Sequence, residues 1–208
     1  MIAAPANSTD EQLLQRMLAG SEEAFTALYR KRQGNIYRFA LQMSGSRSVA
    51  EEVTQEVFML LMSQGHRYEP TRGSLVSYLY GIARNFVLRS LEKDRLYVSL
   101  EAEGDDRNGS TAETPTFPGD PLGDLTRFER IESLRLAVLA LPPHYREVVV
   151  LCDFHEMSYA DAAVALDVAL GTIRSRLHRA HLLLVERLKA NGFTDSAPTR
   201  PQSARCCV

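Results

Sequence analysis

The stretch that decides the fold reads Ser158-Tyr-Ala-Asp-Ala-Ala-Val-Ala-Leu166, Asp167-Val-Ala169, Leu170-Gly-Thr-Ile-Arg-Ser-Arg-Leu-His-Arg-Ala-His-Leu-Leu-Leu-Val-Glu-Arg-Leu188. Its first part spells a short helix with small residues on the packing side. Ser158 and Asp161 have the spacing of a capping box, which satisfies free amide groups at a helix start. Asp167-Val168 ends that helix, and a second begins near Leu170-Gly171-Thr172. At about 100° per residue, Ile173, Leu177, Ala180, Leu184 and Leu188 fall on one apolar stripe. Arg174, Ser175, His178 and Arg179 fall opposite, near the N-terminal end, with Arg176 and His181 beside them as candidate backbone contacts. A short helix, a tight turn and a longer basic helix form a helix-turn-helix, whose second helix enters the major groove from that end. Arg bridges guanine bidentately, and Ser serves a base or a phosphate.

Working outward, Leu141 opens the module, and Val148 to Leu151 continues the helical repeat that runs from Tyr145 to Phe154. Upstream, helical periodicity also dominates Glu11 to Lys93, which Gly20, Gly45 and Gly73 divide into about four helices. Ser48 with Glu51 fits a second capping box. No alternating strand pattern of useful length is present. The sequence therefore predicts an all-α protein of two small helical domains, with the C-terminal one in the winged-helix-like DNA-binding superfamily. Their expected bounds are 10–95 and 128–190, with a flexible acidic linker over 96–127 and a disordered tail over 191–208. The linker reading rests on Glu101 to Arg127, where seven acids face two bases amid Gly, Pro, Ser and Thr. Such a composition buries too little apolar surface to offset its ordering entropy.

That stretch also removes an objection. A formal net charge of −2 over 208 residues is a poor match for a duplex binder. With the acidic segment set aside, the helical blocks are basic on balance. No apolar run approaches the roughly 20 residues that span a bilayer, and Met1 to Asp10 lacks a secretory pattern, so a cytoplasmic protein without membrane insertion is expected. Cys152 falls in an apolar helical stretch, and Cys206 and Cys207 lie in the last three residues without the spacing of a metal site. No phosphate-binding glycine loop, nucleophile with a base or metal cluster is evident, so neither enzymatic chemistry nor a cofactor is expected. His144, Asp153 and His155, close in sequence, are expected to have plain surface roles.

The N-terminal block carries two helices with more than a core face. From Ser48 to Ser63, Val53, Val57, Leu60 and Leu61 make the core stripe. Phe58, Met59 and Met62 lie off it, beside Glu51, Glu52 and Gln55; the two readings are a protein-docking face and a wider core contact. From Ser74 to Lys93, Leu75, Leu79, Ile82, Ala83 and Phe86 make the buried stripe. Tyr78, Asn85 and Arg89 share a neighbouring face, where an aromatic ring, an amide and a cation suit single-stranded nucleic acid. The preceding loop adds His66, Arg67, Tyr68 and Arg72. Tyr78 is equally able to cover the core with its ring.

Four segments carry a resemblance. Ala50-Glu-Glu-Val-Thr-Gln-Glu-Val-Phe58, Ser77-Tyr-Leu-Tyr-Gly-Ile-Ala-Arg-Asn85, Leu141-Pro-Pro-His-Tyr-Arg-Glu-Val-Val149 and Gly171-Thr-Ile-Arg-Ser-Arg-Leu-His-Arg-Ala180 are similar, in this order, to bacterial sigma factors of the extracytoplasmic-function group. The resemblance implies a subunit that directs core RNA polymerase to promoters. It places Glu52, Gln55, Glu56 and Phe58 against a coiled coil in the clamp of the largest polymerase subunit. It places Arg67, Tyr68, Tyr78, Asn85 and Arg89 at the melted non-template strand of the −10 element, where pocket contacts must offset the cost of flipping a base. It places Arg174, Ser175, Arg176, His178 and Arg179 at the duplex −35 element, and it implies an anti-sigma factor as a further partner. A helix-turn-helix regulator independent of polymerase and a sigma-like adaptor or decoy are the competing readings. The sequence departs from the family in Tyr78 for the usual Trp, Glu52 for Asp, Ala169 for a frequent Pro, and a longer, more acidic linker.

Overall fold

The computed structural model describes residues 8–100 and 121–190, with the side chains of 94–100 and 121–126 left aside. Hydroxyl caps set the helix starts of the first block. Thr9 accepts the Gln12 backbone N–H at 3.3 Å while the Gln12 side chain accepts the Thr9 N–H at 3.0 Å, a capping box that opens α1 (Asp10–Leu18). Ser21 caps α2 (Glu22–Ser44), and Ser46 caps α3 (Arg47–Gln64) by accepting the Val49 N–H. The α3 cap therefore lies two residues before the expected Ser48. Gly45 adopts a left-handed φ of 74° and closes α2 on the Leu41 carbonyl, and the Ser44 hydroxyl accepts the Ser46 N–H. The chain reverses at once, and Ser48 is left exposed in the first turn of α3.

Two short 3-10 turns, Gly65–Arg67 and Pro70–Arg72, lead into α4 (Leu75–Leu100). Helix α2 packs on α1, α3 and α4 and buries Leu28, Ile36, Phe39 and Met43 against Leu13, Val53, Val57, Leu61, Leu75 and Leu79. The expected linker is shorter than its composition indicates. Helix α4 runs on through 96–100, and α5 (Pro121–Leu139) begins well before Arg127. Residues 101–120, the tail 191–208 and its Cys206 and Cys207 lie outside the described residues.

The second domain follows with α6 (Pro143–Val149), a π-helical turn (Val150–Phe154), α7 (Tyr159–Leu166) and α8 (Leu170–Ala190). The repeat from Tyr145 to Phe154 is thus helical but widened, with the His155 N–H donating to the Val150 carbonyl at 3.1 Å. Val148, Val149, Val150 and Leu151 are all buried. A segment apolar on every side belongs inside a structure, and here neighbours on both flanks bury it.

The two domains pack on one another, and the buried cluster is contiguous across them. The turn between α2 and α3 meets the end of α5, where a Cβ on Gly45 would stand 3.0 Å from Leu139 Cδ1. Arg146 of α6 donates to the carbonyls of Met43, Leu139 and Leu141, tying α2 to the second domain. Burial lowers its pKa, yet an arginine remains charged, so those carbonyls hold a permanent cation. Helix α4 lies against α7, which brings the polar face of the first domain up to the helix-turn-helix of the second.

Candidate nucleic-acid interface

The turn between α7 and α8 is built on a residue that tolerates it. Asp167 takes a left-handed φ of 52°, and the Val168 N–H reaches back to the Ala163 carbonyl at 3.0 Å, a Schellman-type closure. Three residues then suffice to start α8 at Leu170. Ile173, Leu177, Ala180 and Leu184 are buried, and Leu188 is partly so, which fixes the helix by the stripe read from sequence. Arg174, Ser175, His178 and Arg179 lie together on the other side. Ser175 donates to the Thr172 carbonyl at 3.1 Å, leaving its lone pairs free to accept.

Two neighbours do not join that face. Arg176, expected at the DNA, turns inward, with its Nη1 3.0 Å from Oε1 of Glu147, a carboxylate only 1% exposed. A charge buried to that degree needs its partner, so Arg176 braces α8 on α6. His181, a candidate backbone contact, lies 2.7 Å from Asp153 Oδ2 on the π-helical turn.

The face of α4 behaves as a cleft rather than an open surface. Arg67, Tyr68, Tyr78 and Asn85 line one wall of a space of about 910 Å³, and Ala163 to Ala169 of the helix-turn-helix form the other. The rings of Tyr68 and Tyr78 lie 5.5 Å apart, and the Tyr68 hydroxyl donates to the Gly73 carbonyl at 3.0 Å. Burial, then the charges of Glu11 and Asp10, raise the Tyr68 pKa and keep that donor protonated. Tyr78 packs against the core and also lines the cleft. Arg89 is exposed farther along α4, its guanidinium 6.0 Å from the Phe86 ring centre.

The off-core face of α3 divides into an exposed part and a buried one. Met59 and Met62 are 53% and 57% exposed, and Glu52, Gln55 and Glu56 lie near them on the helix. Phe58, expected on that face, is 3% exposed. Its ring sits edge-on to Tyr29 at 4.8 Å and to Phe25 at 6.5 Å. It therefore forms the floor of a groove of about 750 Å³ between α2 and α3, whose rim carries Gln55, Met59 and Met62. Phe25, Tyr29 and Tyr37 of α2 complete that groove, and sequence reasoning does not single them out. Their four- and eight-residue spacing is the signal that could have found them.

His155 also escapes the surface role expected of it. Its Nε2 lies 2.9 Å from Gln42 Oε1 of α2, and its Nδ1 2.8 Å from the Tyr80 hydroxyl of α4. Because an amide oxygen only accepts, Nε2 carries the proton and Nδ1 accepts from Tyr80. Burial, then the nearby Arg38 charge, push the His155 pKa down to about 4. Burial likewise pushes Tyr80 up to about 12 and the half-buried Cys152 up to about 11. No cluster of metal-ligating side chains occurs among the described residues, and no described helix is long and apolar enough to cross a membrane.

Comparison with known proteins decides the family. Residues 28–96 match the Sigma-70 region 2 family, and residues 131–184 match Sigma-70, region 4. The chain is 33% identical to the ECF RNA polymerase sigma factor SigE of Mycolicibacterium smegmatis over 73% of its own length and 56% of that protein's. It is 31% identical to the ECF RNA polymerase sigma factor EcfG of Rhodopseudomonas palustris, covering 77% of this chain and 82% of that one. The chain belongs to the ECF sigma factors. Two solved structures share the fold: CnrH in complex with the cytosolic domain of CnrY (20% identity, TM-score 0.64, covering 88% of this chain and 98% of that one), and RpoE with the anti-sigma factor NepR from Bartonella quintana (24%, 0.59, 76% and 92%). As an ECF sigma factor, the protein recognises promoters for RNA polymerase. Its region 2 match takes in the α4 cleft wall and most of the α2–α3 groove, and its region 4 match spans the helix-turn-helix.

Proposed function

We propose that this sigma factor reads its promoter with two separate surfaces. Arg174, Ser175, His178 and Arg179 of α8 read the duplex −35 element in the major groove. Arg67, Tyr68, Tyr78, Asn85 and Arg89 hold the non-template strand of the −10 element once it is unstacked. The observation that carries this reading is the segregation on α8: four polar side chains gathered on a helix whose opposite side is buried. In the −10 cleft, Tyr78 offers a narrower stacking surface than an indole, and Tyr68 at 5.5 Å supplies a second ring.

The groove between α2 and α3 docks the largest-subunit clamp of core polymerase. Met59 and Met62 provide adaptable apolar contact, with Gln55, Glu52 and Glu56 as a polar rim. Phe58 supports the groove from beneath. An anti-sigma factor is a further partner, a reading supported by the two structural relatives, each solved with a protein partner.

Co-purification with core polymerase tests the assignment. The wild-type chain and Glu186→Ala, an exposed change on α8 away from the groove, should co-purify, and Gln55→Ala combined with Met59→Asp should not. Failure of the wild type to bind core polymerase would contradict the proposal.

A further inference from the structure

Ser74, Ser77, Gly81 and Arg84 follow one another at three- and four-residue steps and so form one strip along α4. The strip runs beside Tyr78 and Asn85 on the same wall of the cleft. The helix-turn-helix domain meets it with oxygen at every polar position. Asp161 Oδ1 accepts from the Ser77 hydroxyl at 3.2 Å and from the Ser74 hydroxyl at 3.5 Å. Glu147 Oε2 accepts from Arg84 Nε at 2.6 Å. At Gly81, where a Cβ would stand 3.1 Å from it, the Ala165 carbonyl oxygen approaches the bare backbone.

Two hydroxyls, a guanidinium and a side-chain-free position are the donors and the clearance that a phosphate backbone requires. Here carboxylates fill those places. Arg67, Arg72 and Arg84 line this wall of the cleft with one acid, Glu69, so the wall itself carries a positive balance. We propose that Ser74, Ser77 and Arg84 form a phosphate track for single-stranded DNA, which Asp161 and Glu147 occupy in the closed form as stand-ins for phosphate. The track rests on the assignment of this cleft to the melted strand and adds to it contacts that are independent of sequence. Strand and helix-turn-helix then compete for one strip, and strand binding requires α7 to leave α4.

The sign of one effect separates this from a purely structural latch. If the Arg84–Glu147 pair only held the domains together, removing Arg84 would open the cleft and strengthen strand binding. A phosphate contact predicts the reverse once closure has been loosened by other means. The test uses the full chain, a fluorescein-labelled oligothymidine of about twelve nucleotides, and anisotropy across a salt series. Asp161→Asn should bind several-fold tighter than wild type, because it leaves the Ser158 cap of α7 in place but weakens the stand-in. Adding Arg84→Ala to Asp161→Asn should weaken binding several-fold and reduce the logarithmic salt slope by about 0.7, the value of one single-strand phosphate contact. Arg84→Lys in that background should restore the slope, and circular dichroism should show each variant folded. Equal or tighter binding with an unchanged slope in the Asp161→Asn, Arg84→Ala chain would overturn the track. So would an Asp161→Asn chain that binds no better than wild type. Tyr78→Leu in the Asp161→Asn background keeps the two assignments distinguishable. If it weakens binding while Arg84→Ala does not, the track falls and the cleft assignment stands; if neither matters, both fall.

Discussion

Arg176 and Arg179 lie three positions apart on α8, yet the fold gives them opposite surroundings. Arg176 completes the pairing of Glu147, which is 1% exposed and also bonded by Arg84, whereas Arg179 faces outward. Arg176→Ala should lower unfolding stability by about 2 kcal/mol, the scale of a hydrogen bond to a buried charge, and Arg179→Ala should stay within about 0.5 kcal/mol. Chemical denaturation checks both, and only Arg179→Ala should lose duplex binding without losing stability. Helical periodicity places both arginines on the polar side, but it has no means of showing that a carboxylate on another helix reaches one of them. Glu156 is a second position that sequence does not reveal. It follows the π-helical turn with a left-handed φ of 52°, a conformation that costs an ordinary side chain about 1–2 kcal/mol. Glu156→Gly relieves that strain against a loss of chain entropy of about 0.5–1 kcal/mol. The variant should gain up to about 1 kcal/mol in the same denaturation assay.

The groove between α2 and α3 shows how two adjacent residues divide one task. Phe58 lies beneath it against Tyr29 and Phe25, and Met59 stands on its rim. Phe58→Ala should cost about 3–5 kcal/mol of stability. Met59→Asp should leave stability within about 0.5 kcal/mol and abolish co-purification with core polymerase. The stripe of α3 taken alone puts Phe58 outside the core, because it does not show that α2 brings Phe25 and Tyr29 against that ring. The all-α class, the four helices of the first block and the helix-turn-helix are legible because each rests on local signals: periodicity, glycine stops and caps. The π-helical turn and the aromatic lining from α2 are not, since each depends on packing between elements distant in sequence, and the exact α3 cap is a local choice between Ser46 and Ser48 that the Gly45 turn decides. Composition overdraws the linker at both ends because it averages over a window, while α4 and α5 extend into the margins.

Closure of the two domains joins these parts and connects them to pH. His155 bridges α2 and α4 through Gln42 and Tyr80, and its neighbours include Arg38 and Glu156. In the closed form its pKa is about 4, against about 6.5 for a free imidazole. The closed state therefore binds fewer protons between those values, so this contribution is intact above about pH 6.5 and declines as pH falls toward 4. Small-angle scattering should show a larger radius of gyration near pH 5 than near pH 7.5, and His155→Gln should remove most of that difference. Opening matters because the cleft proposed to hold the strand has the helix-turn-helix as its other wall. The central claim, that α8 anchors the duplex while the α4 cleft captures the melted strand, is tested most directly by footprinting the same complexes with DNase I, for upstream protection, and with permanganate, for unpaired thymines. The templates are promoters located by co-occupancy of this protein and polymerase. With core polymerase, the wild type should protect the upstream element and render thymines in the downstream element reactive. Asn85→Ala should keep the protection and lose the reactivity, and Arg174→Ala with Arg179→Ala should lose both. Wild-type reactivity in Asn85→Ala together with undiminished upstream protection in the α8 variant would contradict the account.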